Sequence, residues 1–246
     1  YFRARSGKPG PVVIDLPLNL QQNVNQYEGG AIDRFATVYE DEHHLSDSQC
    51  ARFFELLTAA SRPLLYLDGG LSSARGSAAI RRFNARFGIP SVNTLMAKGV
   101  VDENDPAALR LLGMFGTPYA NKIIQDNDFF FAIGVRWDDR VAEKVGFAIH
   151  AKIAYIDVNP RKMHQIRQER RPDFTFLGNA ATALDDLTDY AERHDIRTDI
   201  GDWIGHAVNL KRSWPLAYRR DGDRIQQAEV LDLLNDRLTD DMIFTT

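Results

Sequence analysis

The sequence predicts an α/β protein: a three-layer, Rossmann-like parallel sheet with helices on both faces. Two runs of strand length, Leu64-Leu-Tyr-Leu67 and Phe129-Phe-Phe-Ala-Ile133, are apolar without alternation, the pattern of strands buried on both faces. Amphipathic stretches of helical length separate such runs, and strands alternating with helices imply parallel strands joined by right-handed crossovers. Glycines and charged residues follow the apolar runs directly, at the edge where open α/β sheets bind ligands.

Composition narrows the function classes. The 246 residues are 44% hydrophobic and 26% charged with a net charge of −4, which supplies one good core but no basic excess for nucleic acid or an anionic membrane. The basic stretch Arg161–Arg171 has no interleaved aromatics to stack on bases, and it reads as a solvated helix and loop. Cys50 is the single cysteine, so no disulfide framework exists. It falls in an amphipathic stretch, where a free cysteine packs as a small hydrophobe. No apolar run approaches the ~20 residues of a membrane span and no signal peptide is evident, so a cytoplasmic location is expected.

In order along the chain, Gly7-Lys-Pro-Gly-Pro11 is a turn, and Val12-Val-Ile-Asp-Leu16 is expected to be a short strand ended by Pro17. Residues 23–45 lack periodicity and read as a linker. Ser46 and Gln49 form a capping box for a helix reaching Ala60. Leu64–Leu67 is a strand entering Asp68-Gly69-Gly70. A helix over Ala74–Phe87 carries Ile80, Phe83 and Phe87 on one face and ends at Gly88. Ile89–Thr94 is the next strand. Thr117 and Pro118 start a helix to Gln125, the strand Asp128–Ile133 follows, and Ala151–Asp157 is another. Phe174–Leu177 is a further strand, leading through Gly178-Asn179 into a helix that ends near Arg193. Residues 196–223, with Trp203 and Trp214, read as a second linker. An amphipathic helix over Gln226–Arg237 precedes a terminal strand, Met242–Thr246.

Three loops carry the candidate chemistry. Asp68-Gly69-Gly70 turns from strand to helix, either as a tight turn or as a backbone that approaches a phosphate; no G-x-G-x-x-G fingerprint accompanies it. Leu112-Gly113-Met114-Phe115-Gly116 is a second glycine loop. Gly134-Val-Arg-Trp-Asp-Asp-Arg-Val141 places two carboxylates between two guanidinium groups. This is either a structural ion-pair network or a site where Arg136 and Arg140 fork onto a diphosphate. Asp138 and Asp139 then accept from ribose or ribityl hydroxyls or hold the arginines. No third carboxylate or histidine sits at metal-ligating spacing, so no metal site is expected. Asp157, at a strand end, is either a ribose-binding acid or the start of a turn.

Taken together, Thr94-Leu95-Met96, Leu112-Gly113-Met114 with Tyr119-Ala-Asn121, and Gly134–Val141 resemble the acetolactate synthase family of thiamine-diphosphate enzymes. The resemblance spans nearly the whole chain. It implies the last strand of an N-terminal pyrimidine-binding domain at 1–22, a linker at 23–45 and a middle domain at 46–195. A linker at 196–223 and the start of a C-terminal diphosphate-binding domain at 224–246 complete the division. The implied middle domain holds FAD, structural rather than redox-active, on Gly69, Gly70, Thr94, Leu95, Met96, Gly113, Met114, Gly134, Arg136, Asp138, Arg140, Asp157 and Val158. Arg140 is also the implied substrate-channel residue. The family activity is decarboxylation of pyruvate on thiamine diphosphate and condensation with a second 2-oxo acid, in a homo-oligomer. The family's catalytic glutamate would precede Tyr1, and its GDG…N motif for magnesium and diphosphate would follow Thr246. No catalytic residue is therefore expected within 1–246, and synthase activity is not expected of this chain alone. The sequence departs from the family at Asp68 (one of three glycines), Lys8 (an arginine), Asn179 (an aspartate) and Trp137 (a phenylalanine). Two alternatives stay open: the middle domain of another thiamine-diphosphate decarboxylase or lyase without FAD, and a non-catalytic nucleotide-binding module. Thr94-Leu95-Met96 and Trp137-Asp138-Asp139 speak against the former, and the orphan strand expected at each end against the latter.

Overall fold

The unbroken apolar runs form the middle of a parallel sheet. A computed structural model describes residues 4, 7–24, 43–137, 150–218, 222, 224–239 and 241–243. Its strands are β1 (Pro63–Leu67), β2 (Ser91–Asn93), β3 (Ala108–Leu111), β4 (Phe129–Ile133), β5 (Lys152–Asp157) and β6 (Phe174–Leu177). Among the described residues they make one six-stranded sheet in the order β3-β2-β1-β4-β5-β6, parallel throughout. The order reverses between β1 and β4, which pair from Pro63↔Phe129 to Leu67↔Ile133. That is the topological switch point of a doubly wound sheet.

β1 and β4 are buried at every position, so both of their faces are covered. Seven helices of the described residues matter here: α1 (Asp47–Thr58), α2 (Ala74–Phe87), α3 (Pro118–Asp126), α4 (Pro160–Glu169), α5 (Ala180–Arg193), α6 (Gly201–Ser213) and α7 (Gln227–Asn235). On one face Phe53 of α1 lies with its ring centroid 4.8 Å from Phe131, 5.8 Å from Phe129 and 5.5 Å from Phe174. α2 and α5 pack against each other beside α1. The alternate residues point to the opposite face, where Tyr66, Phe130, Tyr155 and Trp137 form a second aromatic group.

Local signals explain the helix ends. Ser46 and Gln49 make the expected capping box on α1. Gly88 ends α2 in the left-handed region at φ 63°, its N–H bonded to Asn84. Cys50 is buried in the core, and α4 is solvated except for Met163 and Ile166.

Several elements differ from the sequence reading. β3 was not anticipated: it advances from Ala108 to Leu111 while β2 advances only from Ser91 to Asn93, so one extra residue bulges and breaks the period. Arg110 takes up the bulge at φ 65°. Residues 196–223 are not all linker, since they contain α6. Trp203 of that helix is buried and donates its indole N–H to the Pro63 carbonyl at 2.8 Å, seating α6 at the N-terminal end of β1. Among the described residues Val12–Leu16 joins no strand, with Val13 and Ile14 92% and 78% exposed. A strand without a hydrogen-bonded neighbour has nothing to fix its backbone. The terminal strand lies partly outside the described residues, which stop at Met242 and Ile243.

Candidate functional site

The C-terminal ends of β1 to β5 bring those sequence-predicted residues that are described to one edge. After Leu67 the chain passes through Asp68, in extended backbone, into a 3-10 turn, Gly69–Leu71, and Ser73 then caps α2 by accepting the Gly76 N–H at 3.0 Å. From the neighbouring strand, Gly134 leaves β4 with φ +63°. The two loops touch backbone to backbone: a Cβ on Gly70 would stand 2.8 Å from the Gly134 Cα, and one on Gly134 would stand 2.7 Å from the Gly70 Cα. Close approach of two main chains at the switch point is therefore the first reason for both glycines.

Asp68 ties three of these loops together, a role the sequence reading did not assign. Its carboxylate is buried and accepts the Gly69 N–H at 2.7 Å, the Arg136 N–H at 3.2 Å and the Thr94 hydroxyl through a short hydrogen bond. The donors come from the ends of β1, β4 and β2. A signal was present, because an aspartate directly after an apolar run is buried unless its chain turns away at once.

The rims of the edge are apolar. Leu95 and Met96 follow β2 in a second 3-10 turn and are exposed, as is Met114 beyond β3. Gly113, at φ 109°, is held by Asn121, which accepts its N–H at 3.0 Å and donates to its carbonyl at 2.9 Å. Thr117 caps α3, accepting the Ala120 N–H while donating its hydroxyl to the Leu109 carbonyl. The Gly113–Met114 loop is thus a preset turn that presents its apolar tip outward.

After β4, Arg136 is exposed, whereas Trp137 is buried in the left-handed region at φ 51° beneath the Arg170 guanidinium. Asp138, Asp139 and Arg140 lie outside the described residues. At the end of β5, Asp157 is buried and accepts the Asn159 N–H at 2.6 Å and the Tyr155 hydroxyl at 2.9 Å. It is thus a turn-starting aspartate, with each oxygen already holding one donor. Burial raises its pKa, only partly offset by those two hydrogen bonds. Burial also raises the Tyr155 pKa, with the neighbouring Asp157 charge acting in the same direction. Val158 is half-buried beside it. Beyond β6, Asn179 caps α5 through the Ala181 and Thr182 N–H groups, an aspartate-like role carried without charge.

This edge fits an extended dinucleotide in its chemistry. Leu95, Met96 and Met114 offer exposed apolar surface for a flat ring, Arg136 supplies an exposed cation, and Gly70 and Gly134 let their two loops meet main chain to main chain. Asp68 and Asp157 give the floor an acidic character that suits hydroxyls better than phosphates. Among the described residues no group of three His, Cys, Asp or Glu side chains is placed to hold a metal ion. Clefts lined by Asp47, Cys50 and Asp186, and by Asp126, Trp203 and His206, lie away from these loops. No helix of the described residues is long and apolar enough to cross a membrane.

Comparison with known proteins agrees with the fold. The family model described as thiamine pyrophosphate enzyme, central domain, matches residues 50–187. The acetolactate synthase isozyme 2 large subunit of Escherichia coli (strain K12) is 32% identical over 244 residues, covering 99% of this chain and 42% of that protein. The acetolactate synthase large subunit of Parasynechococcus marenigrum (strain WH8102) is 33% identical over 250 residues, covering 100% and 40%. The chloroplastic acetolactate synthase of Arabidopsis thaliana is 32% identical over 250 residues, covering 98% and 36%. The chain spans about two fifths of the length of the curated relatives it matches. With a doubly wound parallel sheet, glycine loops converging on its switch point and a family match over more than half its length, this chain belongs to the thiamine-pyrophosphate enzymes and carries their central domain.

Proposed function

We propose that this chain is the central region of an acetolactate-synthase-like enzyme, which decarboxylates pyruvate on thiamine diphosphate and condenses the product with a second 2-oxo acid. The observation that carries the reading is the convergence of five strand ends on one edge, in a chain similar over nearly its whole length to proteins named acetolactate synthase. Thiamine diphosphate and magnesium are held elsewhere in the full-length enzyme. The edge described above holds FAD, with Gly69, Gly70, Thr94, Gly113, Gly134 and Val158 lining it. Leu95, Met96 and Met114 face its apolar ring, Asp157 and Asp138 accept its hydroxyls, and Arg136 and Arg140 bind its diphosphate. FAD bound there supplies structure, bracing the domain, and no net redox step. Arg140 also faces the 2-oxo acid. The full enzyme is a cytoplasmic homo-oligomer.

One observation favours a second reading, the central domain of a thiamine-diphosphate decarboxylase or lyase without FAD. The buried Asp68 carboxylate places negative charge where a flavin diphosphate would approach the glycine loop. A titration with FAD and with ADP, followed by flavin fluorescence and by calorimetry, separates the two. Tight FAD binding with weak ADP binding supports the synthase reading, and ADP binding without FAD binding supports the other. Acetolactate formation from pyruvate by the full-length enzyme tests the reaction itself.

A further inference from the structure

The donors gathered around Asp68 form a nest whose natural guest is an anion. The Gly69 N–H at 2.7 Å and the Thr94 hydroxyl meet Asp68 Oδ1, and the Arg136 N–H meets Oδ2 at 3.2 Å, so donors from three strand ends close on one carboxylate. Backbone N–H groups at a strand-to-helix turn, joined by a hydroxyl, are what a phosphate oxygen meets in nucleotide-binding folds. Here the chain supplies the anion itself. Asp68 is 3% exposed, and its φ of −135° with ψ of −176° is backbone that any residue adopts. Nothing in the main chain requires aspartate at this position, so the role of the residue lies in its carboxylate.

We propose that Asp68 is the specificity-determining residue of this crevice: its carboxylate is an internal anion that fills the switch-point nest and keeps ligand phosphate off the floor. The inference rests on reading this edge as a nucleotide crevice. A phosphate arriving at the glycine loop finds its donors taken and meets a like charge. A second buried carboxylate, Asp157, stands at the end of β5 and feels the Asp68 charge. The acidic floor therefore takes the hydroxyl-bearing part of a ligand, whose O–H groups donate to the remaining lone pairs of these oxygens. The anionic part is left to Arg136, exposed after β4.

The test is calorimetric titration of the 246-residue chain with inorganic pyrophosphate, comparing wild type with Asp68→Gly and Asp68→Asn, each checked for cooperative thermal unfolding. Glycine empties the nest, and asparagine keeps the shape while removing the charge. At least one folded variant is expected to bind pyrophosphate about tenfold tighter or more, the ratio that corresponds to ~1.4 kcal/mol of relieved repulsion. A carboxylate that only clips the loops together predicts the opposite sign. Unchanged or weaker pyrophosphate binding in both variants overturns the proposal, and so does loss of folding in both. FAD is titrated in parallel. A pyrophosphate gain with no FAD binding by any form overturns the flavin reading and leaves this one standing. FAD binding by wild type with no gain in either variant overturns this inference alone.

Discussion

Replacing Gly70 by alanine puts a methyl group into the contact between the β1 and β4 loops. The added Cβ would lie 2.8 Å from the Gly134 Cα and 3.6 Å from its carbonyl oxygen, so the obstacle is main chain rather than a side chain that swings away. Neither loop is free to retreat. The Asp68 N–H is bonded to the Ile133 carbonyl at 3.3 Å, and the Gly134 N–H to the Ile156 carbonyl at 2.8 Å. Overpacking of this kind costs about 1–3 kcal/mol. Gly134→Ala adds the left-handed backbone at φ +63°, a further 1–2 kcal/mol or so for a residue with a Cβ. Gly205→Ala is the control, because Gly205 sits exposed inside α6 with nothing within 4 Å of its added Cβ. There alanine should stabilise by about 0.5–1 kcal/mol through helix propensity. Urea unfolding followed by the fluorescence of the buried Trp137 and Trp203 reads all three. The expected order of midpoints is Gly205→Ala, wild type, Gly70→Ala, Gly134→Ala. A Gly70→Ala protein within about 0.5 kcal/mol of wild type, an ordinary tolerance for surface changes, would refute the backbone contact and with it the glycine argument for this crevice.

Three further outcomes follow from the packing and the buried ionisable groups. Trp203→Phe leaves the Pro63 carbonyl without its 2.8 Å donor and should cost about 1–3 kcal/mol, while Trp203→Ala should cost about 3–5 kcal/mol. A loss below about 1 kcal/mol for alanine in urea melts would mean that α6 is a passenger on the sheet. Cys50, its thiol pushed up to about 11 by burial first and by nearby acids second, should be alkylated by iodoacetamide at pH 8 at least ~100-fold more slowly in the native protein than in urea; equal rates would contradict its burial. Asp157 has a folded pKa raised above its ordinary value of 3.8, chiefly by burial, so the folded state binds its proton more tightly than the unfolded chain does. Its contribution to stability is fully present below the unfolded pKa and is lost as pH rises through the folded one. Asp157→Asn should therefore gain stability relative to wild type on going from pH 3.5 to pH 7, and a relative loss in paired urea melts would reverse the assignment.

What could be read from the residues follows from which forces act locally. Unbroken apolar runs specify β1 and β4 because a strand buried on both faces has no polar alternation to display. Ser46 with Gln49, Thr117 with Pro118, and Gly88 specify helix ends because capping is settled within four residues. β3 escaped because a bulge at Arg110 interrupts its period. α6 escaped because Ile200 offers no side-chain cap and its anchoring bond runs from Trp203 to Pro63 far away in sequence. The location of the candidate site was readable for the same local reason: glycines and charges after strand ends must collect at one edge once the strands are parallel.

The chemistry of the floor was not readable, because it is made between strands. Asp68 by itself is a plausible turn residue. Only with β2 and β4 laid beside β1 do Thr94 and Arg136 bring their donors to its carboxylate. Tyr155 likewise looks like one more aromatic in a strand until the loop after β4 passes over it, leaving its hydroxyl 2.9 Å from Asp157 and 3.0 Å from the Val135 carbonyl. Glycines and charges after strand ends therefore place these loops at one sheet edge without stating which donors and acceptors the loops leave open. That choice rests on a few buried oxygens, each of which must be partnered within the protein or by the ligand. A glycine at position 68 would leave those donors to a phosphate; an aspartate claims them first.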